Sequence, residues 1–294
     1  MDLVAGYAAS HAGLIVSRRD RGPGDSVQRI FQAFEAVRDE IRSLEPDAVI
    51  IIATDHMKAF PLEGVPQFSI GVGAVARGLG DGGVPPCDVP VHQEFAQVIL
   101  EGAVAGGVDL AFSEEVAIDH SYVVPLMLIT PNLDIPIIPI TQNCNVPPRP
   151  TFRRSFEVGR VIGDVIRSGP DGRVVVIGTG GLSHWVGSDD RRAFVDRPAG
   201  TRIVDRDNHP VEIEETGNIN VTWDLGFLET MGKGDFGGFL DEWSEAEVEA
   251  AAGNGAHEIR NWLTAAGLMR APISTLAYEP IAEWLTGTAV GRFA

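Results

Sequence analysis

AVIIIAT, at residues 48–54, is the most informative segment of the chain. Its apolar, largely β-branched residues run without a polar interruption, which is typical of a parallel strand buried on both faces. Before it, apolar residues recur every three or four positions between Val27 and Leu44, the spacing of one stripe on a helix. A short apolar run at residues 3–8 comes earlier still. The first third of the chain therefore predicts strand, helix, strand.

The same alternation returns in the middle of the chain. Residues 135–140 predict a strand that we place at a sheet edge because prolines interrupt it. Helical spacing at residues 155–167 leads into the apolar run RVVVIG at residues 173–178. Strands that alternate with helices at this spacing predict an α/β fold, with a central, mostly parallel sheet flanked by helices on both faces. We expect one domain over residues 1–294.

The last third changes character twice. Residues 187–243 are rich in Asp, Arg, Gly and Asn and show weak periodicity, so we interpret them as a loop-rich rim or lid rather than a second domain. Ser244 then caps a helix that Gly253 ends. A second helix is expected at about residues 255–266, with Trp262 on its buried stripe.

Composition and charge exclude several classes of protein. Hydrophobic residues make up 44 % and charged residues 22 %, as in globular proteins. No apolar run approaches the roughly 18 residues of a membrane-spanning helix, and no basic leader precedes the apolar N-terminus, so we expect a cytoplasmic protein without a membrane partner. The formal net charge of -18 disfavours nucleic acid as a partner. Two cysteines are too few for a disulfide framework or a Cys-rich metal site.

Three of the seven histidines occur in the same context, shortly after an apolar strand. They are His11, His56 and His184. Ligands of open α/β sheets bind beyond the carboxyl ends of the strands, so these side chains can converge on one crevice. His120, beside Asp119, precedes another apolar run and is a weaker candidate. The sequence contexts of His92 and His209 favour structural roles for both.

Glu258, in GNGAHEIRNWL, is the candidate carboxylate because it borders the buried stripe of the last predicted helix. Its neighbour His257 points about 100° away on a helix, so both are not expected to reach one ion. Two histidines and one carboxylate with open positions opposite are the set favoured by non-haem Fe(II) oxygenases. Zinc hydrolases use the same set, so ligand types alone leave the metal open.

Five motifs carry a resemblance that extends over nearly the whole chain. They are SHAGL at 10–14, ATDHM at 53–57, DHSYVVPL from 119, GTGGLSHW from 178 and GNGAHEIRNW from 253. Together they resemble the class III extradiol dioxygenases, which include the β subunit of protocatechuate 4,5-dioxygenase and the 2,3-dihydroxyphenylpropionate dioxygenases. NVPPRPTFRRSFEVG at 145–159 and WDLGFLETM from 223 look closer to the protocatechuate and gallate branch.

The resemblance implies roles for the candidate residues and an activity. The Fe(II) ligands would be His11, His56 and Glu258, and the acid/base pair would be His120 and His184. The implied reaction inserts both atoms of O₂ into a catechol-type aromatic, protocatechuate- or gallate-like, and opens the ring to a semialdehyde. We expect His184 to be the base and His120 the acid, an order that the sequence leaves open.

Several alternatives stay open on sequence alone. A non-enzymatic binding module of the same fold and a zinc-dependent hydrolase with the same ligand set are the rival functions. The bulky Trp185 after GLSH departs from the family pattern and leaves the substrate open. Arg149, Arg153 and Arg154 would meet a substrate carboxylate or, as we favour, local acids. The resemblance implies a homo-oligomer or a complex with a small companion subunit of the α type.

Overall fold

The computed structural model describes residues 1–60, 64–185 and 219–294. Strands form one sheet of eight and one of three within these ranges. In chain order they are β1 (Asp2–Ala9), β2 (Ala48–Ala53), β3 (Phe68–Gly71), β4 (Val75–Gly78), β5 (Cys87–Pro90), β6 (Ala111–Ser113), β7 (Val116–Ile118), β8 (Ile137–Gln142), β9 (Arg173–Thr179), β10 (Ile273–Ile281) and β11 (Thr286–Phe293).

Helices flank the large sheet. They are α1 (Leu14–Ser17), α2 (Gly24–Leu44), α3 (Gln93–Ala105), α4 (His120–Ile129), α5 (Phe152–Ser168), α6 (Val221–Lys233), α7 (Phe236–Glu242), α8 (Glu245–Ala252) and α9 (Ile259–Met269), with 3₁₀ turns at Gly255–Glu258 and Ala282–Trp284. No helix among the described residues is long and apolar enough to cross a membrane.

The large sheet has the strand order β10-β11-β1-β9-β2-β8-β3-β6. Its central strands β1, β9, β2 and β8 are parallel, whereas β11 and β3 run antiparallel to their neighbours β1 and β8. Every residue of β2 is buried, because strands lie on both of its sides and helices cover the sheet. The predicted α/β class with a mostly parallel central sheet is confirmed.

Two helix pairs build the core around the sheet. Helix α9 packs along α5 and contacts β1, β2 and β9, and residues 259–268 are buried on every side of α9. Helix α2 packs against α4, which contacts β2 and β9. The predicted helix at about residues 255–266 is therefore present, and its predicted stripe is part of a fully buried helix.

Two expectations about single elements were wrong. Strand β8 lies inside the sheet, between β2 and β3, and not at an edge. The last paired residue of β3 along this ladder faces Ile140, so Pro139, which has no N–H, lies just beyond that ladder. Residues 221–242, expected to be loop-rich, form α6 and α7. The rest of the predicted rim or lid, residues 187–218 with His209, lies outside the described residues.

Candidate metal centre

Parallel strands bring the candidate histidines to one edge of the sheet. The register pairs Ala9 of β1 with Thr179 of β9, and Gly178 of β9 with Ile52 of β2. The three strands therefore end almost level, and the chain leaves them through segments that carry His11, His184 and His56. Crevices beyond such carboxyl ends are where ligands bind in open α/β sheets.

Two imidazoles and one carboxylate meet at this edge. Glu258 Oε1 lies 3.1 Å from His11 Nε2 and 3.2 Å from His56 Nε2. The candidate ligand atoms of the three residues all lie within 4.8 Å of one another. The His56 side chain is 13 % exposed and the other two are 3 % exposed, so the cluster is closed on most sides. This set could hold one metal ion.

The far nitrogens of the two imidazoles are held by other side chains. His11 Nδ1 lies 2.9 Å from Thr179 Oγ1, and His56 Nδ1 donates to Asp119 Oδ2 at 2.9 Å. A carboxylate only accepts, so His56 carries a hydrogen on Nδ1. Its Nε2, 3.2 Å from Glu258 Oε1, is the nitrogen that an ion would engage in place of a proton. An outer hydrogen bond of this kind is how metal-binding histidines are oriented.

The nitrogen and oxygen atoms that meet at this cluster are suited to bind a metal ion. His11 Nε2 is buried and makes no well-aligned hydrogen bond with any residue in the described ranges. Buried polar atoms normally have a partner, and an imidazole nitrogen without one, aimed at a carboxylate oxygen, suits a cation between them. The residues present therefore fit a divalent ion bound by two neutral imidazoles and one carboxylate.

A glycine segment holds the carboxylate in place. Glu258 ends the 3₁₀ turn before α9, and its Oε2 accepts a hydrogen bond from the Gly181 N–H at 2.8 Å. A Cβ on Gly180 would lie 2.7 Å from Glu258 Cβ, so only glycine allows this approach. Oε2 is thus engaged by the protein, and Oε1 is the oxygen that faces the two histidines.

The carboxyl groups of Glu258 and Asp119 are ionised, as expected for a site that binds a cation. Burial alone would raise the pKa of Glu258, but His11 and His56 hold it well below its ordinary value. Burial likewise opposes ionisation of Asp119, yet His56 and His120 hold its pKa far below normal. Burial lowers the pKa of His11, whereas Asp119 and Glu258 outweigh burial at His56 and raise its pKa to about 10. Two ionised carboxylates therefore give the site a negative potential.

His120 stands beside this cluster as the first residue of α4. Asp119 caps the helix by accepting from the Ser121 N–H at 2.8 Å. The His120 ring stacks on His56 with 4.3 Å between ring centroids, and its centroid lies 6.0 Å from that of His11. Its Nδ1 lies 2.6 Å from Asp81 Oδ2.

His184 stands on the carboxylate side. Its Nε2 lies 3.8 Å from Glu258 Oε2, and its Nδ1 donates to the Leu182 carbonyl at 2.9 Å. Its backbone is tied to the segment before α9, since the Gly255 N–H donates to the His184 carbonyl at 3.0 Å. A side chain on Gly255 would collide with the His184 ring, so glycine is required for this packing.

The other residues that the sequence singled out lie apart from this cluster. His257 Nε2 lies 2.9 Å from Glu249, and the side chain points away from Glu258, its chain neighbour. His92 caps α3, where its Nδ1 accepts from the Phe95 N–H. Arg149 and Arg153 form ion pairs with acids of α8 and α7, as we favoured for local partners.

Sequence reasoning missed three groups that shape the centre. Thr179 holds His11, the Gly181 N–H holds Glu258, and Asp81 holds His120. Asp81 is the one acid in the glycine-rich run GLGDGG at residues 78–83, and the other two residues lie in the GTGGLSHW motif, which does not reveal their distant partners. The other two contacts arise from tertiary packing of β9 against β1 and α9.

Comparison with known proteins identifies the class. A family model described as the catalytic LigB subunit of aromatic ring-opening dioxygenase matches residues 5–289. The chain belongs to this family, so the predicted membership of the class III extradiol dioxygenases is confirmed. It is an aromatic ring-cleaving dioxygenase.

Particular relatives agree with the class. A 2,3-dihydroxyphenylpropionate/2,3-dihydroxicinnamic acid 1,2-dioxygenase of Photorhabdus laumondii is 30% identical over 292 residues, covering 91% of this chain and 90% of the relative. The 2,3-dihydroxyphenylpropionate/2,3-dihydroxicinnamic acid 1,2-dioxygenase 2 of Pseudomonas putida is 31% identical over 283 residues, covering 88% of this chain and 89% of the relative. The crystal structure of an uncharacterized Escherichia coli K12 protein covers 99% of both chains with a TM-score of 0.57 and 13% identity, a likeness of fold.

Proposed function

We propose that this chain is a non-haem Fe(II)-dependent extradiol dioxygenase that opens a catechol ring beside its two hydroxyls. The observation that carries the proposal is the convergence of His11 Nε2, His56 Nε2 and Glu258 Oε1 within 4.8 Å of one another. Two histidines and one carboxylate leave positions free on the opposite side of Fe(II) for substrate and O₂. The family membership supports the ring-opening chemistry.

In this proposal His11, His56 and Glu258 hold the ion, and other residues keep them in place. Bound there, ferrous iron would supply the coordination positions and the electron transfer that let a catechol react with O₂. Thr179 and Asp119 fix the orientation of the two imidazoles. The Gly181 N–H engages Glu258 Oε2, so Oε1 is the oxygen offered to iron.

His184 is the proposed base. Its Nδ1 must carry a hydrogen because the Leu182 carbonyl can only accept, so the neutral ring presents the lone pair of Nε2. That atom takes a phenol proton from the catechol as the catechol approaches the ion. A neutral imidazole is suited to this step near neutral pH.

His120 is the proposed acid. Its Nε2–H gives a proton to the oxygen that departs when the O–O bond breaks, while the Nδ1–H keeps donating its hydrogen bond to Asp81. The His120 ring stacks on His56, whereas His184 Nε2 lies 3.8 Å from Glu258 Oε2, so the two rings stand beside different members of the ligand cluster. The two proton transfers can therefore take place at different points of the substrate.

The proposed substrate class is a catechol that carries a carboxyl group. The motifs at residues 145–159 and from Trp223 resemble the protocatechuate and gallate branch, which favours a substrate of that kind. The relatives are named for 2,3-dihydroxyphenylpropionate and its cinnamic analogue. The product would be a ring-opened semialdehyde where the cleaved carbon beside the diol bears hydrogen, as in protocatechuate. It would be a ring-opened ketone where that carbon bears the side chain, as in 1,2-cleavage of 2,3-dihydroxyphenylpropionate.

Removal of the carboxylate ligand tests the metal assignment. We expect Glu258→Ala to lose bound iron and ring cleavage together after anaerobic reconstitution with Fe(II). The readouts are iron per chain and O₂ uptake with protocatechuate, gallate and 2,3-dihydroxyphenylpropionate. The matched control is Glu229→Ala, which removes an exposed carboxylate that pairs with Lys233 on α6. Iron content and O₂ uptake equal to those of the control would contradict the ligand assignment.

The same preparation separates the rival functions. A zinc hydrolase consumes no O₂ and regains activity with Zn²⁺, whereas the proposed enzyme consumes O₂ in step with catechol and regains activity with Fe(II) and a reductant. A binding module needs no stoichiometric iron.

We further propose that the chain assembles into a larger complex and that it acts in the cytoplasm. The chain would act as a homo-oligomer or with a small companion subunit, which the mass of the active species in solution would distinguish. The free thiols of Cys87 and Cys144 suit a reducing cytoplasm.

A further inference from the structure

Asp81 is a buried acid whose carboxylate is committed to one residue. It lies in the turn between β4 and β5, and its side chain is 8% exposed. Oδ1 accepts from the backbone N–H of His120 at 2.9 Å, and Oδ2 lies 2.6 Å from the Nδ1 of the same residue. A carboxylate that grips both the backbone and the ring of one histidine leaves that ring little freedom to rotate.

The small sheet explains how the two residues meet. Strands β4 and β7 are parallel, with Gly78 paired to Ile118, so both strands end at the same edge. The turn with Asp81 leaves β4 at that edge, and His120 follows β7 there. The Leu79 N–H also donates to the Ile118 carbonyl at 3.0 Å, which ties the start of the turn to β7.

Glycines let the turn lie directly on the imidazole. Gly82 has a φ of +61°, and a Cβ on it would come within 2.6 Å of His120 Cγ. Gly80 and Gly83 also have positive φ values, so the backbone follows a path that other residues rarely adopt. The contact is therefore built into the chain, and Asp81 is the charged group placed within it.

We propose that Asp81 is a positioning residue that fixes the tautomer and the direction of His120, an inference that rests on the proposed role of His120 in ring cleavage. The carboxylate accepts the hydrogen of Nδ1, so Nε2 is the only ring atom that exchanges a proton. Its Oδ2 lies 2.6 Å from Nδ1, so the carboxylate charge stands directly beside the ring. When the Nε2–H bond breaks and an O–H bond forms on the departing oxygen, the ring is left neutral with its hydrogen on Nδ1.

His184 provides the contrast within the same centre. Its Nδ1 donates to a backbone carbonyl, which fixes a tautomer but brings no negative charge to the ring. His120 alone of the two has a carboxylate on Nδ1, and Asp81 makes no contact with the three proposed ligands among the hydrogen bonds and ion pairs found in the described residues. Altering Asp81 should therefore change proton delivery and leave metal binding intact.

The test replaces Asp81 by Asn. In Asp81→Asn the side-chain oxygen can still accept from the His120 N–H, while the amide NH₂ faces Nδ1 and forces the ring hydrogen onto Nε2. We expect unchanged iron content and KM and a fall in kcat of about 10²-fold or more, the range for losing acid/base function. The matched control is Asp88→Asn, which removes the same charge from an exposed position in β5 and should leave kcat unchanged.

A second readout does not depend on turnover. Two-bond ¹H–¹⁵N spectra of histidine in the full chain, kept free of paramagnetic iron, report which ring nitrogen carries hydrogen, with His120→Ala assigning the signal. We expect hydrogen on Nδ1 of His120 in the unsubstituted chain and in Asp81→Glu, and on Nε2 in Asp81→Asn. Should Asp81→Asn fail to fold, Asp81→Ala is read in the same way, with loss of the fixed Nδ1–H tautomer expected.

The results separate two kinds of failure. An unchanged His120 tautomer in the variants, or a kcat of Asp81→Asn within about twofold of the control while His120→Ala loses turnover, would overturn the role of Asp81. Absence of O₂ uptake by the unsubstituted chain with every catechol would instead refute the proposed function. The spectra would still show in that case whether Asp81 fixes the ring.

Discussion

In the proposed mechanism His184 and His120 both act through Nε2, but their Nδ1 atoms meet different acceptors. The acceptor is an uncharged carbonyl at His184 and a carboxylate at His120. An uncharged partner suits a ring that begins neutral and takes a proton, and a carboxylate suits a ring that begins protonated and gives one. These partners support the proposed base and acid roles, whose order the sequence left open because Asp81 is 39 positions from His120.

Loss of the His184 ring should separate chemistry from metal binding. We expect His184→Ala to keep its iron, because the three proposed ligands are untouched, and to lose turnover by about 10²-fold or more. Iron analysis and kcat from O₂ uptake measure the two effects. His92→Ala, which removes an imidazole at the start of α3, is the control and should keep kcat. Loss of iron from His184→Ala would show that this ring serves the metal.

Helices and strands that are marked by a pattern of neighbouring residues were predicted well. The uninterrupted apolar run at residues 48–54 is fully buried as β2, and Ser244 begins α8 with a capping box to Glu247. The prediction for β8 was wrong because prolines disfavour an inner strand only where a neighbouring strand pairs with them, and the sequence does not show where that neighbour ends. Pro139 is tolerated inside the sheet because pairing with β3 reaches only Ile140.

Helices α6 and α7 were missed for a different reason. Trp223, Phe227 and Met231 of α6 follow the four-residue spacing of a helix and are buried. Charged residues and glycines precede this stretch, so the helical spacing is diluted over the long segment 187–243. The sequence from Asn220, the N-cap residue of α6, shows the helical spacing clearly when it is taken without the preceding residues.

The packing of α5 against α9 gives a test of stability. A Cβ on Gly267 of α9 would press on the Phe156 carbonyl of α5, so Gly267→Ala should destabilise the fold by about 1–3 kcal/mol through overpacking. Gly226 of α6 has no heavy atom near its Cβ position, so Gly226→Ala should stabilise by up to about 1 kcal/mol through helix propensity. Denaturant unfolding of both variants measures the difference. Shifts of the same sign would contradict this account of the α5–α9 contact.

Over the whole molecule, an ion pair links an early element to the last strand. Arg292 of β11 donates through Nε and Nη2 to the Glu40 carboxylate of α2, with the shortest distance 2.7 Å. This contact lowers the pKa of Glu40. A lowered carboxyl pKa contributes stability above the pKa of the unfolded chain, and that stability is lost as the pH falls through the folded value.

Glu40→Gln should therefore lower the melting temperature at pH 7 and have little effect near pH 3. Melting curves of the variant and the unsubstituted chain at the two pH values measure this. Glu35→Gln, an exposed change on the same helix, is the control. An equal loss at both pH values would mean that Glu40 acts through packing and not through its charge.

The sequence predicts the part of the candidate site that lies at the ends of predicted strands. His11, His184 and His56 come to one edge of the sheet because β1, β9 and β2 end almost level. His120 follows β7 and Glu258 precedes α9, so packing of other elements brings these two residues to the same edge. The groups that orient them were not predictable, since Thr179 meets His11 across 168 positions of chain. Such contacts depend on the register between strands, which the spacing of apolar residues does not determine.

Asp119 ties the two sheets of the molecule together. It follows β7 of the three-stranded sheet, yet its Oδ2 accepts from both the N–H and the Nδ1 of His56, which follows β2 of the large sheet. Any substitution that displaces the smaller sheet would therefore move a proposed iron ligand with it and weaken metal retention.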